Sequence, residues 1–157
     1  MNEAIILRQI MIAKANLVKL VLDGQFDQIT QAYEDTRPLF DHYDEAVFHG
    51  EVCMALSKFL RNAGYSDTDQ EYRFNAAVDA MPEARNRKLV KIKYLLNRAF
   101  RMNATDNEFM RIINQITPED EAGFSQQDMD YYNTLKLQIG LRIGSIALIN
   151  ASSLIQQ

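Results

Sequence analysis

The chain has 157 residues, of which 47% are hydrophobic and 24% charged, with three prolines, six glycines and a single cysteine. That balance suits one globular domain able to bury about 70% of its unfolded surface, and it excludes both a disordered chain and a disulfide-stapled scaffold. The net charge of −4 divides unevenly, because residues 1–84 hold seven basic and fourteen acidic side chains whereas residues 85–157 hold ten basic and seven acidic.

No basic residue precedes Ile5, and Arg8 and Lys14 interrupt what would have to be an unbroken apolar run in a signal peptide. A soluble cytoplasmic chain is the expectation. Asn2 caps a first helix to about Leu22, with Ile6, Ile10, Ala13, Leu17 and Leu20 on one stripe. Leu7, Met11, Val18 and Leu22 form a second stripe, so this helix needs cover on more than one side. Asp23-Gly24 ends it. A second helix spans residues 26–35 with Phe26, Ile29 and Tyr33 inward, and Arg37-Pro38 disfavours its continuation. Asp44 caps a third helix to Asn62 that buries Phe48, Val52, Ala55, Leu56 and Phe59.

Thr68-x-x-Glu71 and Thr105-x-x-Glu108 have capping-box spacing, in which the threonine accepts from a first-turn amide while the glutamate reaches back. They predict a fourth helix over 69–81, burying Tyr72, Phe74, Ala77, Val78 and Met81, and a sixth over 106–116. Between them Pro82 opens a fifth helix to about Met102, with Leu89, Ile92, Leu95, Leu96 and Ala99 inward and its basic side chains outward. Thr117-Pro118-Glu119 starts a short turn that Gly123 ends, and Ser125-x-x-Asp128 caps a long final helix to about Leu154. Seven helices and no sheet result, because no segment alternates with period two over any length.

Two of the helical runs say the same thing twice. Phe74, Ala77 and Pro82 have the same mutual spacing as Met110, Ile113 and Pro118, 36 residues later. A period of that length suggests stacked helical hairpins. An aromatic, a small residue three on and a proline five further resemble the end of a tetratricopeptide repeat, and Gly24-x-Phe26 resembles that family's Gly-x-aromatic turn. The chain departs from the family in having no Trp, no Leu-Gly pair in a first helix and a broken period around residues 39–43. The resemblance covers residues 5–118. It implies a peptide- or protein-binding groove and no catalysis.

Several side chains carry functional readings. Arg87, Lys91, Arg98 and Arg101 follow one stripe of the fifth helix within a run free of acidic residues. A solvated face comes first there, an acidic protein or peptide partner second and nucleic acid third, since the whole chain is net negative. Tyr131 and Tyr132 are further candidates for partner contact. Gly140 and Gly144, with Ala147 and Ala151, make a small-residue patch for close helix packing or a homodimer. The final helix is interrupted by Lys136, Gln138 and Arg142, so a membrane span is not expected. His42, Glu45, His49 and Cys53 share a face of the third helix, but four ligands on one helix cannot surround a metal, and neither a metal nor a cofactor is expected. Cys53 among apolar neighbours reads as a packing residue rather than a nucleophile.

The expectation is therefore an all-α protein. It is one domain, with three antiparallel hairpins stacked as a short right-handed tetratricopeptide-like array over residues 1–122 and a long capping or dimerisation helix over 123–157. It is expected to be a non-enzymatic protein- or peptide-binding module of adaptor, chaperone-like or regulatory type, with nucleic-acid binding through the fifth helix as the alternative.

Overall fold

A computed structural model describes residues 2–152. Every regular element among them is helical, and they divide into two compact units on either side of the Ala84–Arg85 bond, residues 2–84 and 85–152. The division falls at the point where the charge balance changes sign, between an acidic and a basic stretch.

In the first unit α1 (Glu3–Leu22) begins on Asn2, whose side chain accepts from the Ala4 amide. A 3-10 turn, Phe26–Gln28, leads into α2 (Ile29–Asp35), and the Arg37-Pro38 segment forms a second 3-10 turn, Arg37–Asp41, that carries Phe40 toward the core. Next comes α3 (Glu45–Asn62), capped by Asp44 through the Val47 amide. The core gathers Ile10, Leu17, Tyr33, Phe48, Leu56 and Phe74, each nearly or wholly excluded from solvent. Tyr33 stands at its centre with its ring 5.6 Å from that of Phe48 and its hydroxyl donating to Glu45 at 3.0 Å. Burial, reinforced by the Glu45 charge, drives its hydroxyl far above the ordinary tyrosine range.

The fourth helix corrects one expected cap. α4 runs Asp67–Ala80 and starts on Ser66, whose hydroxyl accepts from the Asp69 amide at 3.1 Å, so Thr68 lies inside the first turn. Phe74, Ala77 and Val78 are buried as the spacing predicts, while Tyr72 is exposed, with its ring 6.1 Å from that of Phe26 and nearly perpendicular to it. Arg73 and Tyr65 reach the last carbonyls of α1, the guanidinium to Val21 at 3.2 Å and the hydroxyl to Leu22 at 3.1 Å. A cation beside those orphan carbonyls stabilises the helix end.

A second correction concerns Pro82, which opens no helix. α5 runs Arg87–Arg101 and starts on Asn86, whose side chain accepts from the Lys88 and Leu89 amides. A helix opened by Pro82 would be capped by Met81, which has no side-chain acceptor to offer. α6 (Asp106–Ile113) starts on Thr105 as expected, and α7 (Pro118–Ala122) on a full capping box of Thr117 and Asp120.

The expected long final helix is two. α8 (Gln126–Ile143) starts on the Ser125–Asp128 capping box and ends at Gly144, which adopts φ 70° and ψ 30°. That left-handed conformation costs glycine nothing and turns the chain back. Ser145 then caps α9 (Ile146–Ala151) through the Leu148 amide, and α9 packs along α8. The core of this unit joins Leu89, Ile92 and Leu96 of α5 with Phe109 and Ile112 of α6 and Tyr132, Leu135 and Ile139 of α8. Asp128 ties two helix starts together, accepting from the Asn86 amide at 3.3 Å and the Ser125 amide at 3.4 Å.

Candidate functional site

In the first unit α1 and α3 run side by side in the same direction. Lys14 meets Glu51 in mid-helix at 3.0 Å, and Tyr65, just beyond the end of α3, meets Leu22 at the end of α1. Two helices laid so leave a furrow wherever nothing covers their seam. Here the furrow has a volume of about 650 Å³, walled by Met11, Ala15, Val18 and Leu22 from α1 and by Met54, Ala55 and Phe59 from α3.

The α1 wall takes Met11, Val18 and Leu22 from the second apolar stripe of that helix and adds Ala15, giving spacings of four, three and four residues, and the first stripe is spent on the core. Met11, Met54 and Phe59 are 66%, 72% and 51% exposed, although each carries a large apolar side chain. Phe59 thus departs from its expected place in the buried stripe of the third helix. Single exposed apolar residues are ordinary; here three of them line one groove.

Charged residues edge the furrow: Lys14, Lys19 and Lys58 against Asp23 and Glu51. Glu51 accepts from Lys14 on one oxygen and from the Tyr43 hydroxyl on the other. Burial works to raise its carboxyl, yet those two donors outweigh burial and hold it below the usual carboxylate range. The same bond to Glu51, helped by burial, pushes the Tyr43 hydroxyl up to about 12. Among the described residues neither Lys19 nor Lys58 joins an ion pair.

The residues singled out in the sequence lie elsewhere. Arg87, Lys91, Arg98 and Arg101 are on α5, and none of the four is without a partner; Arg98 stands 5.8 Å from the Tyr94 ring. Tyr131 and Tyr132, adjacent in sequence, diverge in space. Tyr132 is a core residue, 7% exposed, with its ring 5.8 Å from Phe124, and burial pushes its hydroxyl up to about 12. Tyr131 is half-buried with the Arg85 guanidinium 4.3 Å above its ring.

The small-residue patch is split by the α8–α9 turn. A Cβ built on Gly140 would stand 2.7 Å from Ile149 Cγ1 and 3.1 Å from the Ile149 amide nitrogen, so Gly140 is where α9 lies directly on α8. Ala147 and Ala151 are exposed on α9, and Gly144 is the turn itself. Lys136 holds the far end of α9, donating to the Ala151 carbonyl at 2.8 Å with its ammonium 4.5 Å from the Tyr132 ring. Desolvation lowers the pKa of this lysine, which is 9% exposed.

On α3, His49 is buried and its Nδ1 stands 3.8 Å from the half-buried Cys53 sulfur, whereas His42 is exposed. Among the described residues no three His, Cys, Asp or Glu side chains gather as metal ligands would, and no helix is long and apolar enough to cross a membrane. No family model, curated protein or solved structure gives a significant match to this chain.

Proposed function

We propose that the chain is a non-enzymatic protein- or peptide-binding module, of adaptor or regulatory type, and that the α1–α3 furrow is its docking surface. The observation that carries this reading is the exposure of Met11, Met54 and Phe59 along one groove. Burying a large apolar side chain completely is worth about 1.5–3 kcal/mol, so a partner seated on three of them recovers a substantial fraction of that figure from each. Methionine suits such a surface because its unbranched, polarizable chain adapts to the shape laid on it.

The repeat reading supports the same conclusion. Lys14 and Glu51, partners across the seam, are 37 residues apart, close to the 36-residue period of the sequence. We read α1–α2 and α3–α4 as two stacked hairpins of tetratricopeptide-like kind, whose first helices share the groove.

Affinity capture with the parent chain and with the double variant Met11→Glu/Met54→Glu tests this. Both residues are mostly exposed, so both substitutions leave the fold intact. A partner retained by the parent and by Leu141→Glu, which alters an exposed residue of the second unit, but lost by the double variant is the expected result. Capture indifferent to the groove substitutions overturns the reading.

A further inference from the structure

We infer that the occupant of the furrow is an amphipathic helix whose apolar stripe is flanked by carboxylates, held by Lys19 and Lys58. This rests on the furrow being a docking surface and adds what docks there.

The helical form follows from the walls. Every backbone amide and carbonyl along Met11–Leu22 and Glu51–Phe59 lies within or at the end of a helix, so the groove presents no free ladder edge. An extended peptide laid there would gain no main-chain hydrogen bond from either wall, whereas a helix satisfies its backbone internally and offers only side chains. The α1 wall from Met11 to Leu22 is about 17 Å long at about 1.5 Å per residue, which is about three turns. Apolar anchors at spacings of three and four on the occupant match the spacing of the wall itself.

The sign of the flanking charge follows from what the unit does with its ionic residues. Residues 1–84 carry fourteen acidic side chains and seven basic ones, so an average patch of this surface is acid-rich. The furrow tips that balance the other way, with three lysines against two carboxylates. Glu51 is spent on Lys14 and Tyr43, which leaves two lysines and one aspartate to meet an incoming helix. Carboxylates along the flanks of that helix find cations at Lys19 on one wall and Lys58 on the other; ammonium groups find the same two as repulsion.

The probes are two acetylated, fluorescently labelled peptides of about five helical turns. Both carry leucines at spacings of three and four; one has glutamates on both flanks of that stripe and the other has lysines. Their binding is followed by fluorescence anisotropy with the full chain. The glutamate peptide should bind about tenfold more tightly at low salt, a difference that fades as salt screens the exposed pairs. Lys19→Glu/Lys58→Glu should reverse the order, and Met54→Glu should weaken both.

Equal affinity of the two peptides, still sensitive to Met54→Glu, would overturn the acidic occupant and leave the docking surface standing. Binding of neither peptide would overturn the helical occupant, and the docking surface falls with it only if partner capture is also indifferent to the groove. Sedimentation of the chain alone covers the remaining occupant: a dimer abolished by Met54→Glu would make it a second copy of this chain and would overturn the inference.

Discussion

In the first unit α1 and α3 leave Met11, Met54 and Phe59 in solvent along a groove, while in the second α9 turns back over α8 and buries even a lysine. Each unit is built around a helix with more apolar or small surface than one flank can cover. α8 is followed by Gly144-Ser145, which reverses the chain and restarts a helix, so the cover for its Gly140 face comes from the next residues. α1 is followed by Gly24 and a 3-10 turn that deliver α2 to the core side, and no later helix of the first unit is laid over the furrow side. The same device, a glycine closing a helix, produces a sealed face in one unit and an open one in the other. What differs is where the chain goes next.

The comparison can be broken first at its firmest point, the sealed unit. Phe109 is wholly buried, its ring 4.8 Å from Phe100 in the α5–α6–α8 core. Phe109→Ala should cost about 3–5 kcal/mol by removing apolar burial and leaving a cavity. Denaturant titration measures the cost, and hydrogen exchange should place the lost protection within residues 85–152. Loss spread evenly over residues 2–84 would mean that the two units do not hold their cores separately.

Gly140→Leu tests the seal itself. Judged by α8 alone the change is favourable, because leucine in a helix interior is better than glycine by nearly 1 kcal/mol. Judged by the contact with Ile149 it is not, since the new side chain occupies the path of the α9 backbone. Overpacking of this kind costs about 1–3 kcal/mol. The expected result is a net loss of stability with early exchange of the α9 amides. A gain would show that α9 does not press on Gly140 in solution.

Much of this was legible in the residues, and what was not has local causes. Asn2, Asp44, Thr105 and Ser125 are caps in the structure because each places a side-chain oxygen just ahead of an apolar-periodic run, and Thr117 is one through its capping box with Asp120. Thr68 loses to Ser66, which offers the same chemistry two residues earlier and so adds residues to the helix. Gly144 has GxxxG spacing from Gly140, but its pairing with a following serine is the signature of one helix ending and another beginning.

The groove was half legible. The second stripe of α1 announced a face needing cover, but nothing in α3 distinguishes Phe59, at its rim, from Leu56 and Leu60, which are buried. Periodicity gives the width of an apolar face, and only the neighbouring helix decides how much of that face it reaches.

Phe59 also supplies the smallest expected effect and the one that separates binding from folding. Its ring is half in solvent, so Phe59→Ala gives up only part of the burial that a core phenylalanine contributes. Alanine's better helix propensity returns about 0.5 kcal/mol of that. The net cost to stability should be about 1 kcal/mol or less, against the 3–5 kcal/mol of Phe109→Ala. Affinity for the occupant should nevertheless fall, because the exposed half of the ring is the half a partner covers. Measuring denaturation and glutamate-peptide binding on the same variant makes the two quantities independent. A stability loss as large as that of Phe109→Ala would mean that the furrow closes over Phe59 in solution, and the first unit would then be sealed like the second, by its own side chains in place of an added helix.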